Sequence, residues 1–560
     1  MKRNFFAFLI IVAFVVQSLA QAAAIKITPA EKKIAEGVTA KQLSDYLYFV
    51  ASDEMEGRDT PSRGLDTTAK FIGMNLSKWG FKPAGDNGTY FQKIALRRDS
   101  IDATATSVKI GNDSYRYGED VARASGSSPI SAPIVYVGNG WMIKSKNLNP
   151  YANIDIKGKL VAVYGEGPIN GRNLVPLPSG VTQADLTGTR GTDWTDAATY
   201  ARANGAAGLL VLPSKFLTEN WSAVVQNFGR GRLVVDKLAQ PANPQATGAM
   251  TILFASPKIA NAIFDGESGN PLTGTTNSFD LNSSKIFNFT VATTPEMLGT
   301  QNVVAVWEGS DPVLKNEMVA IGAHYDHIGI STNPNAPDKI NNGADDDGSG
   351  TVSVLSIAEA LAKSTKRPKR SVLFVWHCGE EKGLWGSQYF NKYPTVDIKN
   401  VIAQLNIDMI GRSKKPGYMA PCDTNPAPGR KPCNETLSGE NQIYVIGKDM
   451  MSSTLGSLVS GVNAGYLNLN YDTRYDDPKD PNRFFFRSDH FNYAVNGIPI
   501  AFWFDGEHED YHQPGDEPQK IDYNKMEKVT RTILITLWQL TDLKERPKVD
   551  KQLPPELTHR

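Results

Sequence analysis

Cysteine is nearly absent from this chain: of 560 residues only three are cysteine, at positions 378, 422 and 433. Three thiols cannot build an all-cysteine zinc cluster. An excess of charge of either sign is also lacking. Lysine plus arginine number 59 and aspartate plus glutamate 59, which gives no ground for a nucleic-acid or anionic-surface partner. No low-complexity tract or fixed-period repeat stands out, which argues against a fibrous or solenoid chain. Long apolar runs are scarce as well. After the first 22 residues no segment is apolar enough to span a bilayer.

What is present begins with a targeting pattern. Lys2 and Arg3 precede an apolar run from Phe5 to Val16, and Ala20-Gln21-Ala22 follows as a small-x-small cleavage site. The run is shorter than the roughly 20 residues a membrane-spanning helix needs. No cysteine follows it to carry a lipid. Residues 1–22 are therefore expected to be a signal peptide, and the mature chain to be exported, periplasmic or secreted, without stable membrane insertion. In an oxidising compartment Cys422 and Cys433, ten residues apart in a proline-rich loop, make a plausible disulfide. Cys378 is then a free thiol, better read as a small buried core residue than as a nucleophile.

The mature chain opens on helical signals. Thr39 to Gln42 resembles a capping box, and Leu43, Tyr46, Leu47 and Val50 trace one helical face. A charged loop from Asp53 to Arg58 precedes a second predicted helix from Asp66 to Trp79, and a strand is expected around Phe91 to Leu96. From about Pro129 to Ile286 short apolar strands such as Ile134 to Val137 and Leu160 to Val163 alternate with turns, and no histidine occurs. This stretch reads as an inserted β-rich α+β module at 129–286, after an N-terminal part of the main domain at 23–128. The rest of the main domain follows at 287–545, with a tail at 546–560.

Past Asn302 the pattern becomes α/β. Strands are expected at Val303 to Trp307, Met318 to Ala323, Val372 to His377, Ile402 to Ile407, Ile443 to Ile446 and Pro499 to Phe504. Helices are expected at Ser349 to Lys363, Gly383 to Tyr389, Ser452 to Ser460 and Tyr523 to Leu543. Near-continuous apolar strands alternating with helices predict a mixed, largely parallel sheet covered on both faces. In such sheets functional groups gather beyond the C-terminal strand ends.

One stretch organises the candidates. Asn342-Gly343-Ala344-Asp345-Asp346-Asp347-Gly348-Ser349-Gly350 holds three consecutive aspartates between glycines, directly before a helical pattern. Alone it reads as a solvated acidic turn. Its surroundings change that, because His324 and Asp326 end one predicted strand, Glu380 and Glu381 follow another, Asp408 ends a third and His512 comes later. Histidine and carboxylate ligands suit Zn²⁺ or a similar ion. A two-metal site needs a bridging carboxylate, and Asp346, the middle aspartate, fits. His324 and Asp408 would complete one ion, Glu381 and His512 the other. Asp326 would orient the His324 imidazole, and Glu380 is the candidate general base. His327 and His508 lie close enough in sequence to stand in for a ligand, whereas His377 and His490 read as structural.

These residues also carry a resemblance. His324-Tyr325-Asp326, Gly343 to Asp347, Gly379-Glu380-Glu381-Lys382-Gly383-Leu384-Trp385-Gly386-Ser387, Asn406 to Met409 and Tyr511-His512-Gln513-Pro514-Gly515-Asp516 have the order and spacing of the co-catalytic zinc exopeptidases. That family includes bacterial leucyl-type aminopeptidases and glutamate carboxypeptidases. Arg487-Ser488-Asp489-His490 is similar to a further motif of the family, and the module at 129–286 resembles a protease-associated insert. The resemblance implies a zinc exopeptidase fold, two Zn²⁺ ions, peptide substrates and the roles given above. It also implies a cis peptide between Asp346 and Asp347. One departure stands out: some members carry a tyrosine that contacts the tetrahedral intermediate where this chain has Phe485. Aminopeptidase activity is the expectation. A glutamate carboxypeptidase-like activity would use an arginine cluster drawn from Arg474, Arg483 and Arg487. A receptor-like binding protein of the same fold is the third reading, disfavoured because no ligand is missing.

Overall fold

The apolar runs past Asn302 become a sheet because each can bury both of its faces. The computed structural model describes residues 23–558 apart from 168–173, 230, 240–249, 275, 332–334 and 419–435. The expected signal peptide and the Cys422–Cys433 pair therefore lie outside the described residues. The chain divides into two compact units, residues 1–94 with 299–560, and residues 95–298.

The sheet of the first unit includes β1 (Thr293–Trp307, within this unit from Gly299), β2 (Met318–His324), β3 (Ser371–His377), β4 (Val401–Ile407), β5 (Gln442–Ile446), β6 (Asn470–Asp472) and β7 (Ile500–Phe504). They lie in the order β1-β3-β2-β4-β7-β5-β6. The central strands β3, β2, β4 and β7 are parallel, while β1 pairs antiparallel with β3 and β5 antiparallel with β7 and parallel with β6. Every residue of β2, β3 and β4 is buried, as a sheet covered on both faces requires. The expected strands are all present. The short β6 was not expected from the sequence.

The helices are α1 (Pro29–Ala35), α2 (Ala40–Val50), α3 (Arg63–Lys78), α4 (Gly350–Lys363), α5 (Trp385–Lys392), α6 (Ser453–Gly465), α7 (His490–Val495) and α8 (Tyr523–Thr541). The capping box at Thr39 and Gln42 forms as the sequence suggests. Helices α2, α4 and α8 pack on one another, and α4 and α8 also lie against β2. Met318, Ala320, Leu373 and Val375 share a core cluster with Phe390 of α5 and Tyr493 of α7. Strand alternation turns Val319, Ile321, Val372 and Phe374 to the opposite face. Among the described residues no helix is long and apolar enough to cross a membrane.

The second unit has its own sheet, with Ile130–Tyr136, Leu160–Val163, Gly208–Val211 and Thr251–Ala255 parallel at its centre. It contains the expected insert of 129–286 but starts earlier, at Ala95. The reason is strand pairing. Ser107–Ile110 pairs with Ile286–Thr290, and Val121–Ser125 pairs with Thr251–Ala255. These are short strands whose partners lie far along the chain, so no local composition change marks the boundary.

Cys378 is fully buried at the end of β3, its N–H donating to Asn302 Oδ1 over 3.0 Å. Burial pushes its thiol up, and the thiolate is the reactive form. Alkylation followed by peptide mapping is expected to leave Cys378 unlabelled in the native protein and labelled after denaturation. Labelling in the native state would place this thiol at an accessible site.

Candidate metal centre

The C-terminal ends of the parallel strands carry the candidate residues in short loops. His324 is the last residue of β2, Glu380 and Glu381 lie in the turn after β3, Asp408 follows β4, and His512 follows β7. The three aspartates occupy a wide turn that leads into α4, and the Asp346–Asp347 peptide is cis. Met409 and His512, each at the site, hold positive φ angles of 58° and 57°, which non-glycine residues rarely adopt.

The three aspartates do three different jobs. Asp347 accepts hydrogen bonds from the backbone N–H groups of His324 (3.2 Å), Gly350 (2.8 Å) and Met409 (3.1 Å). It thereby ties β2, α4 and the loop after β4 together. Asp345 accepts from the Gly411 N–H at 2.6 Å. Asp346 alone points into the site.

Asp346 divides its oxygens between two sets of donors. Oδ1 lies 3.2 Å from His324 Nε2, which is 3.5 Å from Asp408 Oδ1. Oδ2 lies 3.1 Å from His512 Nε2, which is 3.2 Å from Glu381 Oε2. His327 approaches the same second set from the buried side, with Nδ1 2.7 Å from Glu381 Oε1 and 3.7 Å from Asp346 Oδ2. The ligand atoms of His324, Asp346 and Asp408 lie within 4.8 Å of one another, as do those of His327, Asp346 and Glu381. Buried Glu381 Oε1, His512 Nε2 and both ring nitrogens of His327 lack an aligned hydrogen-bond partner among the described residues. Buried polar atoms are rarely left so, and imidazole nitrogens facing carboxylate oxygens are the donor chemistry of zinc. The residues present fit a metal ion of this kind.

The electrostatics follow from crowding acids in a dry place. Burial opposes charge on Asp346, but His324, His327 and His512 hold its carboxyl well below the usual range. Burial and Asp346 likewise oppose charge on Glu381, yet His327 and His512 lower it to about 2. The His512 imidazole rises to about 10, hydrogen bonds to Asp346 and Glu381 outweighing its burial. Burial raises Glu380, with Glu381 and Asp408 adding to the rise and His324 opposing it. A carboxyl raised in this way is suited to proton transfer.

Asp326 stands behind His324, but not as the spacing suggests. His324 Nδ1 is 3.1 Å from the main-chain carbonyl of Asp326 and 3.7 Å from its carboxylate. The carboxylate instead accepts from Thr60 Oγ1 at 3.1 Å and from the Glu380 N–H at 3.2 Å. His508 lies away from the second donor set, with Nε2 3.4 Å from Asp345 Oδ2. His377 and His490 are packed in the core, His377 beside the Tyr493 hydroxyl and His490 stacked on Phe502.

Sequence reading missed several residues that hold this arrangement. Asp516 Oδ2 accepts from the N–H groups of both Asp345 (3.0 Å) and Asp346 (3.1 Å). Arg487 donates to Glu507 Oε1 at 2.8 Å and to the Tyr511 hydroxyl at 3.0 Å, and the Tyr511 ring stacks on His512 at 3.9 Å. Asp516 sits inside a quoted motif, and its position four residues after His512 was the available signal. A cavity of about 390 Å³ opens over the centre, its apolar wall made by Met409, Phe484, Phe502 and Phe504. Phe485 is not among the residues lining it and packs against His490.

Residues 302–537 match the sequence model of peptidase family M28. Among curated proteins, the chain is 35% identical over 118 residues to leupeptin-inactivating enzyme 1 of Streptomyces exfoliatus, covering 21% of this chain and 24% of that protein. It is 26% identical over 237 residues to a probable leucine aminopeptidase of Arthroderma benhamiae, covering 41% and 56%. The chain thus spans between a quarter and just over half the length of these relatives. Among solved structures, an aminopeptidase from Aneurinibacillus sp. strain AM-1 aligns with a TM-score of 0.47 at 16% identity, over 94% of this chain and 98% of that one. The matched stretch, residues 302–537, is similar to peptidase family M28 and holds every candidate ligand described above.

Proposed function

We propose that this protein is an exported dizinc aminopeptidase that removes N-terminal residues from peptides. The observation that carries the reading is Asp346, a carboxylate whose two oxygens face separate histidine–carboxylate sets. His324 and Asp408 would hold one ion, Glu381 and His512 the other, with Asp346 shared between them. His512 is preferred to His327 as ligand because it borders the cavity where a substrate must arrive. The ions would polarise the scissile carbonyl and make a water acidic enough to attack at neutral pH. Glu380, in the cavity wall beside Glu381, takes the attacking water's proton and delivers it to the departing amine as the C–N bond breaks. The Tyr511 hydroxyl is the phenol that borders the cavity, in place of one at position 485, and Arg487 holds it.

The arginines favour an aminopeptidase over a carboxypeptidase. Arg487 is committed to Glu507 and Tyr511, Arg474 pairs with Asp472 at 2.6 Å, and Arg483 lies over the Phe486 ring. Arg487 lines the cavity but is taken by these partners, neither Arg474 nor Arg483 lines it, and the other lining cation, Lys382, pairs with Asp59 at 2.7 Å. The aromatic wall suits an apolar first side chain. Residues 129–286, which compact with a separate unit and carry no histidine, are proposed as a protease-associated module. The pattern of residues 1–22 supports export.

The direct test assays the purified protein on aminoacyl amides with a free amine against N-blocked peptides with an acidic C-terminus. Turnover of the first class only is expected, and turnover of the second only would make it a carboxypeptidase. Elemental analysis after gentle dialysis is expected to find about two zinc equivalents, and Asp346→Ala to lose most of both. One equivalent, or two unaffected by that substitution, contradicts the bridge. Glu380→Gln should keep both ions and lose roughly 10²–10⁴ in turnover, the range for a general base, while Glu381→Gln should weaken one ion. Loss of metal from Glu380→Gln with retention in Glu381→Gln would exchange the two roles.

A further inference from the structure

The loops that carry the metal ligands come from distant parts of the sheet, yet one short N-terminal segment touches three of them. Arg58 is fully buried and has no carboxylate hydrogen-bonded to it among the described residues. Its guanidinium instead donates to main-chain carbonyls. Nε reaches Tyr325 O at 3.0 Å, Nη1 reaches Val50 O at 2.8 Å and Asn342 O at 2.7 Å, and Nη2 reaches Gly343 O at 2.8 Å. Tyr325 is 267 residues further along the chain and directly follows His324. Asn342 and Gly343 open the turn that carries Asp346. One planar, always-charged group thus fixes the spacing of the β2 end and the aspartate turn, which hold His324 and Asp346. A lysine could not match that fork.

Two residues on, Thr60 reaches the third loop. Its hydroxyl donates to Asp326 Oδ2 and accepts from the Gly379 N–H, both at 3.1 Å. The other oxygen of Asp326 accepts from the Glu380 N–H. Thr60 therefore supports the backbone on which Glu380 stands through two short paths. Between them Asp59 pairs with Lys382 at 2.7 Å.

The segment is shaped for these contacts. Glu56, Gly57 and Arg58 have consecutive positive φ angles of 52°, 63° and 49°. A Cβ at Gly57 would lie 2.5 Å from Asn341 O and 2.7 Å from Gly329 O. The Arg58 carbonyl in turn accepts from the His327 N–H at 3.2 Å. Asp326, Asp346, Asp347 and Asp516 surround the guanidinium, so it also supplies positive charge where carboxylates crowd.

We propose that Arg58 and Thr60 are positioning residues of the metal centre, Arg58 setting the separation of the His324 and Asp346 loops and Thr60 the placement of the Glu380 backbone. The proposal rests on the two-metal reading above. Its test uses the full-length protein and two readouts. Zinc affinity is measured by competition with a chromophoric chelator, and kcat and KM on an aminoacyl amide. Outer-shell partners of metal ligands typically contribute about 10–100-fold in affinity or activity. Arg58→Lys is expected to weaken zinc by that factor while the zinc-free protein keeps its circular dichroism spectrum. Thr60→Val should keep both ions and KM but lower kcat by a similar factor, and Thr60→Ser, which restores the hydroxyl, should restore kcat. Wild-type zinc affinity in Arg58→Lys overturns the role of Arg58. Wild-type kcat in Thr60→Val, or a Thr60→Ser variant as slow as Thr60→Val, overturns that of Thr60. Should Arg58→Lys fail to fold, the Thr60 pair decides. A wild-type protein that binds two zinc ions but cleaves no aminoacyl amide defeats the peptidase reading alone, and the chelator competition still decides Arg58.

Discussion

A buried carboxylate without a partner is expensive, and this protein gathers many in one place. Asp326, Asp345, Asp346, Asp347 and Asp408 are almost completely buried within one region, with Glu380 and Glu381 beside them. An ionised carboxylate moved out of water needs donors or cations close by. Most of the surrounding structure can be understood as their supply. Backbone N–H groups satisfy Asp347 and one oxygen of Asp345, whose other oxygen faces His508, while Asp516 braces the turn and Arg58 brings positive charge. Asp346, Asp408 and Glu381 face the imidazoles of the centre, and a metal ion bound there would supply the charge they need.

The sheet explains why so many acids can share one place. Parallel strands end together on one side, so a loop from each strand meets the loops of its neighbours there. β2, β3 and β4 are central and wholly buried, which fixes the position of His324, the Glu380–Glu381 turn and Asp408 relative to one another. None of these loops needs to be long. That economy also makes the centre legible from sequence, since each ligand sits within a few residues of a predictable strand end.

What the sequence hid is of a different kind. The strands, the helix after the aspartates and the ligand candidates follow from local periodicity and residue chemistry. Arg58, Thr60 and Asp516 act through main-chain groups, and a main-chain carbonyl or N–H leaves no mark in a sequence. Asp326 meets the His324 imidazole mainly through its main-chain carbonyl, at 3.1 Å, with its carboxylate 3.7 Å away. A carboxylate two residues from a histidine suggests an ion pair, but the strand end places the Asp326 carbonyl against the imidazole and frees the carboxylate for Thr60 and Glu380. The start of the second unit at Ala95 was hidden because the strands that define it pair with partners far downstream. The short helix α7 was missed because its six residues, His490 to Val495, are too few to show a period.

The same distinction bears on substrate choice. Three arginines near the motif Arg487-Ser488-Asp489-His490 left a carboxylate-binding pocket open on sequence grounds, because charge alone is visible there. Geometry separates charge from availability. A guanidinium bidentate between Glu507 and Tyr511 is already neutralised, and freeing it would break its 2.8 Å ion pair with the buried Glu507 carboxylate. Arg487 is better placed to hold the Tyr511 hydroxyl near the centre than to receive a substrate's charge. The cavity is lined by Phe484, Phe502 and Phe504 together with the acids Asp346, Glu380, Glu381 and Asp408, and by the paired cations Lys382 and Arg487. On the aminopeptidase reading proposed above, the carboxylates not taken by metal would favour a substrate's ammonium group over its carboxylate.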